Sequence, residues 1–205
     1  MSEIKVIKIG GKVIDDEAKL DQFLQDFAQI EERKILVHGG GKIASDVAEK
    51  LGLKSKMING RRITDANMID VVTMVYGGLV NKKIVAKLQA LGCNAIGLSG
   101  ADMNLIQSKK RDPEPIDFGF VGDIEQVDAT VLNSLLNEEI TPVIAPLTHD
   151  GNGQLLNTNA DNIAGFIASG LADHGDVAMD LFFSRGRYEW REIDHRNEFI
   201  AISPP

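Results

Sequence analysis

One cysteine, one tryptophan and two tyrosines are all that the 205 residues hold of those types. A single thiol, Cys93, excludes an intrachain disulfide. It suits a reducing compartment, so a cytoplasmic location is expected. No apolar run approaches the roughly 20 residues that span a bilayer, and Met1–Lys8 lacks the apolar core of a secretory signal. No membrane contact is expected. Cationic residues are also scarce: 22 basic against 30 acidic give a formal net charge of −8. That balance lacks the footprint of a protein that tracks phosphate backbones, so no nucleic-acid partner is expected. Internal repeats and low-complexity tracts are missing too. What remains, 43% hydrophobic and 25% charged, is globular composition with enough chain to bury a core.

The 20 glycines punctuate an alternating pattern. Ile4–Ile9 is an apolar run ending in Gly10-Gly11, and residues 18–30 place Leu20, Phe23, Leu24, Phe27 and Ile30 at helical spacing. A short β-branched strand, Lys34–Val37, stops at His38-Gly39-Gly40-Gly41. A helix then sets Ile43, Val47 and Leu51 on one face. A long helix opens at Thr64 or Asp65, buries Met68, Val71, Val72 and Val75, is weakened at Gly77-Gly78, and resumes through Ile84, Val85 and Leu88. Asn94–Leu98 reads as a buried strand, and 104–124 as a β-hairpin excursion with Pro113, Pro115 and Gly119. A helix over 128–137, a strand at Pro142–Ala145 and a helix over 159–171 with Ile163, Phe166, Ile167 and Leu171 inward complete the pattern. Strands alternating with helices predict a mainly parallel sheet covered on both faces, a three-layer α/β/α sandwich. From Asp173 onward the pattern is lost. This segment has no lysine, four arginines (Arg185, Arg187, Arg191 and Arg196) and the sole Trp190.

Side chains alternate along a strand, so Ile4, Val6 and Lys8 share a face. Lys8 stands at the carboxyl end of its strand, before Gly-Gly, where open α/β sheets bind ligands. The plainer reading is a lysine that snorkels to the strand end. The second glycine turn feeds directly into a helix whose free N–H groups form an anion site. Two such turns after neighbouring strands favour an anionic ligand held between them. The segment is no Walker P-loop, since no glycine stands five residues before Gly41-Lys42 and Ile43 replaces Ser/Thr. It does fit the dinucleotide pattern Gly39-x-Gly41-x-x-Ala44, which keeps an NADP-dependent oxidoreductase open. Arg62 offers a bidentate fork for a carboxylate or phosphate. Asn157-Thr158-Asn159-Ala160-Asp161 opens the last helix, where Asn159 or Asp161 serves as a cap or Asp161 holds Lys8 charged. Cys93 reads as a small buried residue.

These motifs together resemble the amino acid kinase superfamily and, within it, the N-acetylglutamate kinase branch of arginine biosynthesis. The resemblance rests on Lys8-Ile9-Gly10-Gly11, His38-Gly39-Gly40-Gly41, Asn59-Gly60-Arg61-Arg62-Ile63-Thr64 and Asn157-Thr158-Asn159-Ala160-Asp161. Leu98-Ser99-Gly100-x-Asp102 and Gly78-x-x-Asn81-Lys82 add to it. It covers about residues 4–172 and implies an amino acid kinase-like fold. It implies phosphorylation of the side-chain carboxylate of N-acetyl-L-glutamate, or another N-acylglutamate, by ATP with Mg2+. Lys8 would neutralise the phosphoryl group in flight, and Gly10 and Gly11 would lie against the nucleotide phosphates. Gly40 and Gly41 would donate N–H groups around the substrate. Arg62 would clamp the α-carboxylate, Asn157 would contact the acylamino group, and Asp161 would organise Lys8. No resident metal site is expected, and a homodimer is. The resemblance divides the chain at 172: an amino acid kinase domain over 1–172, mainly the acyl-amino-acid-binding lobe, and a divergent tail over 173–205 in place of a nucleotide-binding lobe. A truncated or frameshifted reading frame is the expected origin of that tail. A non-catalytic lobe that binds substrate or dimerises stays open as the alternative.

Overall fold

The structure, a computed structural model, describes residues 3–58, 60–182, 188–193 and 199–202. The chain opens with β1 (Ile4–Ile9), α1 (Gly11–Ile14), α2 (Glu17–Ala28), β2 (Arg33–His38) and α3 (Gly41–Lys50). A small antiparallel pair follows, β3 (Lys56–Ile58) and β4 (Arg61–Ile63). Next comes a nearly continuous helical arm: α4 (Ala66–Val72), a π-helical stretch (Thr73–Val80) and α5 (Asn81–Ala90). Then come β5 (Ala95–Leu98), β6 (Ile106–Lys110), β7 (Gly122–Val127), α6 (Ala129–Asn137) and β8 (Thr141–Ile144). After β9 (Leu147–His149) and β10 (Leu155–Asn157) the chain forms α7 (Ala160–Leu171), β11 (Val177–Phe182), β12 (Tyr188–Ile193) and β13 (Phe199–Ile202).

Among the described residues the main sheet has seven strands in the order β13-β12-β11-β1-β2-β8-β5. The stretch from β11 to β5 is parallel, and β12 and β13 extend the edge antiparallel. Strand parity sorts the core into two layers. Ile7, Ile9, Leu36 and Val143 pack with α2, α4 and α5 on one face. Ile4, Val6, Ile35, Val37 and Ile144 pack with α6 and α7 on the other. This is the expected three-layer sandwich, because buried parallel strands need helices on both faces. The expected hairpin excursion is β6–β7, part of a separate four-stranded sheet ordered β10-β9-β6-β7.

Caps set most helix starts. Asp16 accepts from Lys19 N at 3.2 Å, Asp65 from Met68 N at 2.9 Å, and Asn159 from Asp161 N at 2.7 Å. Asp128 accepts from Thr130 N at 3.0 Å and Val131 N at 3.2 Å. Losing a cap with two such bonds costs on the order of 1 kcal/mol. Asp128→Ala is therefore expected to lower the unfolding free energy by that amount, read by urea unfolding as a lower midpoint with an unchanged m-value.

Two sequence expectations are corrected. Phe166 is 45% exposed and Leu51 57% exposed. The buried stripe of α7 is Ile163, Ala164, Ile167, Ala168 and Leu171, and that of α3 is Ala44 and Ala48. The buried faces of both helices carry alanines, Ala44 and Ala48 in α3 against α4 and the π-helical stretch, and Ala164 and Ala168 in α7 beside Ile163, Ile167 and Leu171. The parallel sheet also takes one strand from beyond residue 172. A short 3-10 turn over Ala172–His174 leads into β11, which pairs in parallel with β1 along its whole length. Asn59, Arg185, Arg187 and Arg196 lie outside the described residues.

Candidate active site

The carboxyl ends of β1 and β2 and the start of α7 surround a cavity of about 260 Å3. This is close to the lower end of the roughly 300–1,000 Å3 usual for small-molecule sites. The residues given a site role from the sequence line it: Lys8, Gly10, Gly11, Gly40, Gly41, Arg62, Asn157 and Asp161. A larger hollow of about 880 Å3 opens elsewhere, beside Arg33 and Lys34 at the start of β2 and Thr141 at the start of β8, and none of these residues lines it.

The parity that puts Lys8 on the Val6 face aims it at α7 rather than at α2. It meets the first turn of that helix, and Lys8 Nζ lies 2.7 Å from Asp161 Oδ1. Lys8 is 7% exposed, whereas the Asp161 carboxylate stays partly open to solvent. A desolvated ammonium needs such a partner to remain charged and aimed. The snorkelling reading fails on this burial.

The glycine turns touch one another, Gly39 N donating to Ile9 O at 2.9 Å. Gly40 has φ +145°, and a Cβ there would stand 3.2 Å from the Tyr76 ring. Side chains are thus excluded twice, by backbone strain and by the ring. Gly40 caps the ten-residue α3 and Gly41 begins it. Their N–H groups belong to a helix start, where an anion is favoured.

Arg62 is buried, on the short β4. Its Nη2 donates to Gly41 O at 2.6 Å and to Ser45 Oγ at 2.8 Å, and its Nη1 donates to Ser55 Oγ. The guanidinium is therefore locked to the first turn of α3. Asn157 donates from Nδ2 to Thr64 Oγ1 at 3.0 Å, which leaves Oδ1 as the acceptor its amide offers. Thr64 is itself fully buried and bridged to 118–120 through Thr64 N to Phe118 O at 2.9 Å and Phe120 N to Thr64 O at 2.7 Å.

Sequence reasoning missed Tyr76, Arg61 and Arg111, which also line the cavity. Tyr76 lies on the π-helical stretch immediately before Gly77-Gly78, and that Gly-Gly pair inside a helix was the available signal. Burial pushes the Tyr76 phenol up from its ordinary value, with the Arg62 guanidinium acting in the opposite sense. Arg111 is paired with Asp123 across the β6–β7 hairpin, and nothing local marked it. Asp102 does not line the cavity. It closes its own turn by accepting from Ser99 N at 2.6 Å.

A sheet with helices on both faces, with a lysine and two glycine turns at its carboxyl ends, defines an α/β protein built to hold an anionic ligand at the strand ends. The model of the amino acid kinase family matches residues 3–172. The chain belongs to that family. It is 58% identical over 183 residues to the acetylglutamate kinase of Bacteroides fragilis, covering 89% of this chain and 70% of that enzyme. It is 57% identical over 202 residues to the acetylglutamate kinase of Phocaeicola vulgatus, covering 98% and 79%. Both alignments continue past residue 172. Among solved structures, the smu.665 protein of Streptococcus mutans superposes with a TM-score of 0.70 at 28% identity, covering 82% of this chain and 69% of that one. The oxidoreductase alternative is set aside, since the match to Gly39-x-Gly41-x-x-Ala44 falls in a kinase-family turn.

Proposed function

We propose that this chain transfers the γ-phosphoryl group of ATP to the side-chain carboxylate of N-acetyl-L-glutamate, or another N-acylglutamate, in arginine biosynthesis. A carboxylate oxygen forms the new P–O bond, the bond to the bridging oxygen of ADP breaks, and an acyl phosphate results. The observation that carries this reading is the Lys8–Asp161 pair set at 2.7 Å beside two glycine turns that share one cavity. The names of the relatives supply the substrate.

The acceptor is already ionised at neutral pH, so no general base is needed, and the work reduces to positioning and charge stabilisation. In this reading Lys8 faces the charge that develops on the transferring group, and Asp161 keeps Lys8 extended. Gly10 and Gly11 approach the nucleotide phosphates, and Mg2+ enters with those phosphates as part of the substrate. Gly40 and Gly41 direct N–H groups at the reacting oxygens. Arg62 clamps the α-carboxylate, and Asn157 holds the acylamino group. A homodimer in the cytoplasm completes the proposal. The exposed Met74 and Leu79 of the π-helical stretch support that oligomeric state.

The test is trapping of the acyl phosphate as a hydroxamate after incubation with ATP, Mg2+ and N-acetylglutamate. Product that requires all three is expected, and free glutamate should not replace the acylated substrate. No trapped product from a chain that binds both substrates overturns the transfer reading. Arg62→Lys keeps the charge but loses the fork. A charge-assisted bidentate contact contributes about 1.5–3 kcal/mol. The calorimetric Kd for N-acetylglutamate is therefore expected to rise roughly 10- to 100-fold. An unchanged Kd removes Arg62 from the site.

A further inference from the structure

Two polar side chains sit deep in the apolar layer beneath the second glycine turn, and neither reaches the cavity. His38 ends β2 and is 0% exposed, while Asn81 begins α5 and is 1% exposed. A buried polar group without a partner costs on the order of 1–3 kcal/mol, so their bonding is informative. Asn81 Nδ2 donates to Val143 O at 2.9 Å and lies 3.2 Å from His38 Nε2. Asn81 Oδ1 accepts from Lys82 Nζ at 3.2 Å, and that same amine donates to Gly97 O at 2.9 Å.

These partners fix the amide. Its nitrogen must face the Val143 carbonyl, because its oxygen there would meet another acceptor, and the oxygen is taken by the lysine. His38 Nε2 therefore faces a donor and must be the unprotonated nitrogen. The proton is then on Nδ1, which donates to Gly39 O at 2.7 Å. In a planar trans peptide the C=O and the following N–H point in opposite directions. A hold on the Gly39 carbonyl thus sets the direction of the Gly40 N–H. The space for this chain of contacts is cut to fit: a Cβ on Gly97 would lie 1.9 Å from Asn81 Oδ1 and 2.7 Å from Lys82 Nζ.

We infer that Asn81 and His38 form a positioning pair, in which Asn81 selects the Nδ1–H tautomer of His38 and His38 thereby orients the Gly40 N–H for substrate. The function of that N–H rests on the kinase reading above. Burial pushes His38 down to about 4, so the imidazole stays neutral at working pH. A fully buried imidazole touches no substrate, so the pair acts only through the turn.

Long-range 1H–15N NMR of the intact chain reads the tautomer directly, and Nδ1–H is expected. Three variants separate positioning from packing. Asn81→Leu removes the tautomer selector. His38→Gln reaches toward Asn81 but loses the donor to Gly39. His38→Asn places an amide N–H where Nδ1–H stands. One hydrogen bond of about 1 kcal/mol corresponds to a loss of roughly 5- to 10-fold in N-acetylglutamate affinity. That loss is expected for Asn81→Leu and His38→Gln, with a displaced Gly40 amide resonance. His38→Asn should keep affinity within about 3-fold of the parent even though its Tm falls comparably. An Nε2–H tautomer in the parent chain overturns the inference, and so does affinity that follows Tm across the variants. If the parent binds no N-acetylglutamate, the functional reading fails instead. The tautomer and the Gly40 resonance, which need no ligand, then still decide this one.

Discussion

Lys8→Met is expected to lower kcat for acyl phosphate formation by about 10²–10³, the loss seen when one preorganised stabiliser of developing charge is removed. Methionine keeps the length and much of the volume of the lysine stem, so the β1–α7 contact persists. What disappears is the ammonium 2.7 Å from Asp161. The interaction of that charge with a phosphoryl group grows as the group detaches, so its loss falls on kcat more than on KM. The Asp161 carboxylate is partly open to water, but its Oδ1 is buried and loses its partner, so some fall in Tm is expected beside the fall in kcat. The measurement is the hydroxamate assay at saturating ATP and N-acetylglutamate, beside a thermal melt of the same preparation. A kcat within a few-fold of the parent would mean that Lys8 is structural and would leave the mechanism without its first residue.

Acidification from pH 6.5 to 4 is expected to weaken the fold by about 3 kcal/mol through His38 alone. The imidazole is fully buried, and desolvation holds it at about 4 against an ordinary value of 6.5, the Gly39 bond opposing this in part. Between those values the unfolded chain binds a proton at this residue and the native chain does not. Stability is therefore present in full above pH 6.5, falls as pH drops through the window, and levels below pH 4. The paired or hydrogen-bonded carboxylates of Asp16, Glu17, Glu32, Asp123 and Asp150 are all held below their ordinary values. Their contributions are lost only in the carboxylate range near pH 4.5 and below. Burial raises Asp15, which acts in the opposite sense and from its ordinary 3.8 upward rather than downward. The interval from pH 6.5 to 5 thus separates the histidine from the lowered carboxylates. Urea unfolding at pH 7, 6 and 5 should show the midpoint falling, and His38→Asn should flatten that slope. An equal slope in the variant would place the titrating group elsewhere.

Much of the site could be read from local pattern. The apolar run Ile4–Ile9 and the strand 34–37 each end at glycines, and a strand end and its turn are decided by residues a few positions apart. Period-two alternation put Lys8 on the Val6 face, and the structure puts α7 over that face, so a local rule reached a contact 153 positions away in sequence. The weak point at Gly77-Gly78 is equally local, and it appears as the π-helical stretch that carries Tyr76 to the ring contact with Gly40. Helical spacing was less sufficient for α3 and α7. It names a stripe but not which edge is buried, and Leu51 and Phe166 fell outside while Ala44, Ala48, Ala164 and Ala168 lie in the core. β11 pairs with β1 along its whole length, so its place in the sheet depends on a partner at the other end of the chain.

By itself, then, the sequence determined the fold class, the two glycine turns, the Lys8 face and the helix caps, because each depends on backbone preference or on side chains within one turn or strand. Only the tertiary structure decided that Arg62 is locked on the first turn of α3, that Arg111 reaches the cavity and that Asn81 lies against His38. The Arg62 bonds to Ser45 and Gly41 join residues 17 and 21 positions apart, and the Asn81–His38 contact joins residues 43 apart. Arg111 lines the cavity with residues as distant in sequence as Lys8 and Asp161. Their geometry is set by how α3, α5 and the β6–β7 hairpin pack around the sheet, a long-range arrangement that no periodicity encodes.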